Sequence, residues 1–234
     1  MVNVLDHGYV DLVETWGSDE RIIEAARMST GKGFLGWDKD EKLFAYLYNN
    51  KHMTPFEMAG MTIEVKAPIF VFREWHRHRT QSYNEMSARY IPLPNENYHP
   101  HLDNLLDRAN FSTTNKQAQN NGTSVSMKTA LLWLDELNNA YMETQRVYDL
   151  GIKIGIPKEL ARLPVPVARY SRMRASANLR NWLAFLTLRS APAAQWEIRQ
   201  YAIAAGELIE SAFPRTWALF AKEVSWEADS SSTG

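Results

Sequence analysis

The chain has 234 residues, room for one large domain or two small ones, and 45% hydrophobic with 23% charged residues is the composition of a globular protein. A net charge of −1 and a pI near 6.6 argue against a general binder of nucleic acid or of membrane surfaces, and no apolar run reaches the roughly 20 residues that a bilayer crossing needs. With no cysteine, disulfides, Cys-ligated zinc, iron–sulfur clusters and a thiolate nucleophile are excluded, so the chemistry must come from a cofactor or from carboxylate, Ser, His, Arg, Lys or Tyr side chains.

Met1 to Asp6 lacks a basic segment leading into an apolar stretch, so no secretory signal is expected and the chain reads as cytoplasmic. Val2 to Trp16 mixes β-branched and polar residues and reads as a strand. Ser18 is an N-cap candidate for a helix with Ile22, Ile23 and Ala26 on its apolar side and Met28 a further candidate there. A second helix is expected from about Lys39 to Asn49. Pro55 disfavours helix just before it and suits the first turn of one after it. Met61 to Val65 alternates apolar and polar residues, the pattern of a half-buried strand, and Pro68 opens a helix carrying Ile69, Phe70, Phe72 and Trp75.

Residues 91–125 are polar and irregular, the least ordered part by composition. Ser126 to Leu150 is the clearest long helix, with Gly151 placed as its C-terminal cap. Pro157 opens a short helix to Arg162, and Val167 to Met173 reads as a strand. Asn178 to Leu188 and Ala194 to Ala212 read as helices. No repeat or linker divides the chain, so a single domain over 1–234 is expected, with a variable polar loop near 95–125.

The informative window is Arg73 to Tyr90. It holds Arg73, Arg77, Arg79 and Arg89 with His76 and His78, in a chain that is neutral overall. A guanidinium presents a rigid fork of donors that fits phosphate oxygens in pairs, and Ser82, Asn84 and Ser87 add short hydrogen-bonding groups. The bland reading is a solvated charged face. Against it stand the interleaved Trp75 and Tyr83 and the scarcity of Lys and Glu. Two pairs, His76-x-His78 and His99-x-His101, have a spacing that also suits a metal ion, which keeps a metal-dependent enzyme open. A non-enzymatic RNA or nucleotide binder using the same arginines is a third possibility.

In this window the chain resembles the flavin-dependent thymidylate synthases, which carry Arg-His-Arg, seven residues, then Ser: here Arg77-His78-Arg79 and Ser87, with Asn84-Glu85 and Arg89-Tyr90 around it. Ala25-Ala26-Arg27-Met28-Ser29, His52-x-Thr54-Pro55-Phe56-Glu57, Lys66-Ala67-Pro68-Ile69-Phe70, Asn178-Leu179-Arg180, Leu188-Arg189 and Ala194-Gln195-Trp196-Glu197-Ile198 are similar to further family segments.

The resemblance implies a mixed α/β (α+β) fold, a mixed sheet core flanked by helices, assembling as a homotetramer with active sites between subunits. It implies FAD as cofactor, with NADPH as reductant and 5,10-methylenetetrahydrofolate as carbon donor, converting dUMP to dTMP. Thr54, Arg77, His78, Arg79, Glu85, Asn178 and Arg180 match flavin-contacting positions. Glu74, Arg77, Ser87, Ala88, Arg89, Arg162 and Arg189 match the dUMP site. Arg189 and His52 match positions nearest the chemistry: Arg189 favours ionisation of the uracil, and His52 handles protons. Without the resemblance, Arg189 reads as a helix C-terminal cation complementing the macrodipole, His52 as a turn histidine, and Trp75 and Tyr90 as packing residues. The eleven-residue separation of Asn178 and Arg189, close to three helical turns, predicts that they face one way.

The chain departs from the family at Ala184, where Asn or His contacts the flavin, and at Ser190-Ala191-Pro192-Ala193-Ala194, where an acidic residue and a His are usual. These changes imply one lost flavin contact and leave room for methylation or hydroxymethylation of a related pyrimidine nucleotide.

Overall fold

The computed structural model describes residues 1–111 and 124–226. The first segment is two strands rather than one: Val2–Val4 (β1) and Gly8–Trp16 (β2) pair antiparallel across a turn in which Leu5 has φ 58°. Gly8 is needed there, because a Cβ would sit 2.0 Å from the Tyr201 hydroxyl. Asp19–Arg27 (α1) starts at Ser18, whose Oγ accepts the Arg21 N–H at 3.3 Å. Trp37–Asn49 (α2) begins slightly before its expected start. Pro55 lies in a 3₁₀ turn, Thr54–Met58.

Gly60–Pro68 (β3), Ile69–Trp75 (α3), Ser82–Glu85 (β4) and Leu102–Phe111 (α4) follow. α4 is a correction to the irregular reading of 91–125; the part of that expectation on 112–123 lies outside the described residues. Met127–Lys153 (α5) runs past Gly151, which is not the cap. A Cβ on Gly151 would meet Ala161 at 3.2 Å, and the left-handed turn comes at Gly155, φ 84°. Lys158–Ala161 (α6) and Tyr170–Asn178 (β5) lead into Leu179–Arg189 (α7), Trp196–Ala212 (α8) and Pro214–Val224 (α9).

The sheet order is β1-β2-β3-β5-β4, every pairing antiparallel. Val10, Val65 and Met173 stand in register across the three central strands, as do Ile63 and Ala175, and Met61 and Ala177. All of these face the core beneath α3, α7 and α8. The opposite face carries Tyr9, Glu64, Arg172 and Arg174, half-buried or exposed. Alternation puts one face in the core and one toward water, as antiparallel sheets allow. Trp75, fully buried, stacks on Phe185 with ring centroids 4.5 Å apart, an arrangement worth about 1 kcal/mol beyond its buried area. Trp75 is thus a packing residue as expected. Tyr90 is not, being 77% exposed.

Candidate active site

α3 ends at Trp75, and the chain turns back through Arg77-His78-Arg79 into β4. Three side-chain bonds hold that turn. The Trp75 indole N–H donates to Gln81 Oε1 at 3.0 Å, and the Tyr83 hydroxyl donates to the carbonyls of His78 (2.7 Å) and Trp75 (3.2 Å). Burial pushes the Tyr83 hydroxyl up to about 12, so it stays a donor. The turn runs alongside α7. Asn181 Nδ2 donates to the Thr80 carbonyl at 3.1 Å, the His78 ring lies edge-on to Phe185 at 4.9 Å, and Arg189 closes the line at the far end.

At that end Arg189 Nε donates to His78 Nε2 at 2.8 Å, Nη1 to Glu74 Oε2 at 2.9 Å, and Nη2 to the Glu74 carbonyl at 3.0 Å. Arg189 does sit in the last turn of α7, and these three bonds tie it to His78 and Glu74 as well. Burial, then the Arg189 charge, pulls His78 down to about 4, so the imidazole is neutral at ordinary pH. Arg73, Arg77, Arg79 and Arg162 are exposed, and their side chains have no hydrogen bond or ion pair among the described residues.

A cavity of about 130 Å³ is lined by Ile69, Glu85, Met86, Ala88, Leu93, Arg162, Val165 and Ser171. It gathers the expected Glu85, Ala88 and Arg162. Ser171, buried on β5, donates to Glu85 Oε1 at 2.9 Å; it and Met86 were not anticipated, and only β5's alternation hinted that Ser171 lay near the sheet's covered side. Ser87 lies between two lining residues, with its Oγ accepting the Arg89 N–H at 3.3 Å. Arg89 itself is engaged by Glu159 at 3.1 Å. Neither Glu74 nor Arg189 lines the cavity, so one chain divides the expected nucleotide residues between two places.

A third group lies at the start of α7. Asn178 is the N-cap, its Oδ1 accepting the Asn181 N–H at 3.0 Å, and Arg180 pairs with Glu57 at 2.5 Å beside the turn that begins at exposed Thr54. Asn178 and Arg189 therefore occupy opposite ends of α7, roughly 16 Å apart along its axis at 1.5 Å per residue. Exposed Ala184 lies between them. His52 is exposed, its ring 5.7 Å from Tyr46. Arg27, in the early motif, pairs with buried Asp40, which also accepts the Leu35 N–H at 2.7 Å; this segment secures the chain between α1 and α2. The two His-x-His pairs are spread out. His78 is taken by Arg189, His76 packs on Tyr83, and His99 packs on Tyr141. Among the described residues no three His, Asp or Glu converge as a metal site.

Residues 11–215 match the family model described as thymidylate synthase complementing protein. A Thermus thermophilus protein named flavin-dependent thymidylate synthase is 39% identical over 94% of this chain and 77% of its own length. One of the same name from Thermosipho melanesiensis is 38% identical, covering 94% and 93%. Among solved structures, the UMP/dUMP methylase PolB from Streptomyces cacaoi bound with 5-Br dUMP superposes with a TM-score of 0.82 at 30% identity, covering 94% of this chain and 97% of that one. The matched span takes in the basic turn, the cavity and α7 together, and the chain belongs to the flavin-dependent thymidylate synthase family.

Proposed function

We propose that the protein is a methyltransferase that converts dUMP to dTMP, with FAD as its cofactor, NADPH as reductant and 5,10-methylenetetrahydrofolate as carbon donor. The observation that carries the reading is Arg189, bonded to Glu74 and His78 beside a turn whose arginines have no hydrogen-bonding or ionic partner among the described residues. The donor set suits a flavin dinucleotide. Arg77 and Arg79 are the free cations that a pyrophosphate needs, and neutral His78 keeps a ring N–H on Nδ1. Asn178 and Arg180 join by exchanging their cap and their Glu57 partner, while Ala184 contributes no side-chain bond. Bound FAD supplies the redox chemistry that no side chain here provides.

In this reading Arg162, at the cavity, neutralises the nucleotide phosphate, and Ser87 and the adjacent backbone N–H groups hold its oxygens. Arg89 adds to them on leaving Glu159. Arg189 stabilises negative charge on the pyrimidine ring, which raises nucleophilicity at C5. The chain has no cysteine, so attack at C6 by a thiolate is not open to it. His52 handles a proton at the flavin–folate side. The division of the nucleotide residues between two places supports a homotetramer in which several copies complete each site. Among the described residues no helix is long and apolar enough to cross a membrane, and the reading places the enzyme in the cytoplasm, acting on small molecules rather than nucleic acid.

The test is an absorbance spectrum of the purified protein, then anaerobic addition of NADPH with dUMP or UMP, then product analysis after methylenetetrahydrofolate. A flavin spectrum that bleaches, with dTMP formed, supports the reading. A methylated ribonucleotide as the main product would move the substrate to UMP, a shift that the departures at 190–194 and the likeness to a UMP/dUMP methylase make worth measuring. Protein that takes up neither FAD nor nucleotide refutes the reading.

A further inference from the structure

Arg189 commits three of its five N–H groups inside the chain, to His78 Nε2, Glu74 Oε2 and the Glu74 carbonyl. Arginine only donates, so His78 Nε2 must be the acceptor. That settles the tautomer: the imidazole is neutral and its single N–H is on Nδ1, pointing away from Arg189. A protonated ring would set donor against donor and cation against cation at 2.8 Å. Phe185 braces the ring from a second side, edge-on at 4.9 Å, and Tyr83 fixes the His78 carbonyl at 2.7 Å. The imidazole therefore has few orientations available, and the Arg189 guanidinium selects among them. Depression of the His78 pKa by burial and by Arg189 agrees with this arrangement.

We propose that the Arg189–His78 hydrogen bond is a coupling element between two ligands, so that pyrimidine nucleotide at Arg189 and flavin at His78 each tighten the other's binding. This rests on the functional reading above for which ligand meets which residue. Nucleotide contacting the two uncommitted N–H groups of Arg189 holds the guanidinium in one rotamer. The guanidinium in turn holds the imidazole with Nδ1–H at a fixed aim, so the ordering cost for flavin has already been met when flavin arrives. Linkage makes the effect reciprocal: the factor by which dUMP tightens FAD equals the factor by which FAD tightens dUMP. Glu74 is a positioning residue in this scheme, acting through Arg189, while His78 meets the flavin itself.

The experiment is a thermodynamic box. The Kd for FAD is measured with and without saturating dUMP, and the Kd for dUMP with and without FAD, on the full chain. For the wild type both ratios are expected to agree, at about tenfold, within the usual range of site-to-site coupling. His78→Gln puts an amide oxygen near the place of Nε2 and keeps the coupling. His78→Phe keeps a ring against Phe185 but offers no acceptor, and its ratio falls to about one, with flavin itself bound more weakly for want of the Nδ1–H. A His78→Phe ratio equal to the wild type's, or a wild-type ratio of one, overturns the proposal and leaves the functional reading standing. Failure of the wild type to bind either ligand refutes the functional reading itself. Should His78→Phe bind no flavin, nitrogen NMR of the wild-type, flavin-free protein decides. The His78 Nε2 resonance is expected to be that of an unprotonated acceptor and to move on adding dUMP. A protonated Nε2, or no movement, overturns the proposal.

Discussion

Arg162→Ala separates phosphate recognition from every other part of nucleotide binding. In the free protein the Arg162 guanidinium has no hydrogen-bonding or ionic partner among the described residues and lines the 130 Å³ cavity, so its removal breaks no hydrogen bond or ion pair among them. Stability should change by no more than about 0.5 kcal/mol, the range for surface substitutions. A charge-assisted hydrogen bond to a phosphate is worth about 1.5–3 kcal/mol. Arg162 is exposed, and solvent screening takes the expected loss to the lower end, about 1.5 kcal/mol, or roughly tenfold in Kd. Calorimetric titration with dUMP and with deoxyuridine, which has no phosphate, provides the control. The tenfold loss should appear for dUMP and vanish for deoxyuridine. An equal loss for both ligands, or none for dUMP, would show that Arg162 is not the phosphate's counter-ion.

Gly206→Ala on α8 should destabilise by about 1–3 kcal/mol despite alanine's better helix propensity, because the new Cβ would lie 2.9 Å from Trp217 and 3.1 Å from Trp226; a thermal melt at or above the wild-type midpoint would contradict this packing. Ala184→Asn restores a side chain able to bond to flavin, worth about 1 kcal/mol, so the Kd for FAD should fall about fivefold in a fluorescence titration, and unchanged affinity would remove residue 184 from the flavin site. His78 has a folded-state pKa below its ordinary 6.5, near 4, so the stability it contributes is complete above pH 6.5 and is lost as pH falls toward 4. Denaturant melts of wild type and His78→Gln at about pH 7 and about pH 4.5 should show the wild type losing more on acidification, and parallel losses would place the titration elsewhere.

Where local pattern decides structure, the elements were readable. β3 alternates because one face is core, and α8 repeats at three and four residues because one stripe is buried, whereas α5 follows the same period but buries only Ala130, Tyr141 and Tyr148 and leaves Met127 and Leu131 exposed. The first hairpin was hidden because Leu5, not Gly or Asn, takes the left-handed turn. β4 has exposed and half-buried residues throughout, and its identity comes from pairing with β5, distant in the chain. Residues after Ala212 carried no expectation, yet α9 forms there, its first N–H groups accepted by Asp19 at the start of α1. The candidate site was legible only as residue types brought near one another: the basic turn beside Arg189, and Ala88 with Arg162 at one cavity. What joins Arg189 to Glu74 and His78 spans more than a hundred residues of chain, so no spacing rule reaches it. The division of the expected nucleotide residues, and the cap and ion pair that occupy Asn178 and Arg180, likewise arise only in the folded chain.

Among the described residues β4 is held to the sheet through β5 alone, by four paired residues, and has no strand beside its other edge. On one side it continues into the turn that bears Arg77 to Arg79, and on the other into Glu85 to Arg89. A short edge strand therefore joins the two segments that carry the expected ligand-binding residues. Amide hydrogens of Ser82 to Glu85 should exchange with solvent ahead of those in β3 and β5, and each such opening releases both segments together. A ligand gripping both sides would close that opening by mass action, so that exchange at four backbone amides becomes a gauge of site occupancy that needs neither a chromophore nor turnover.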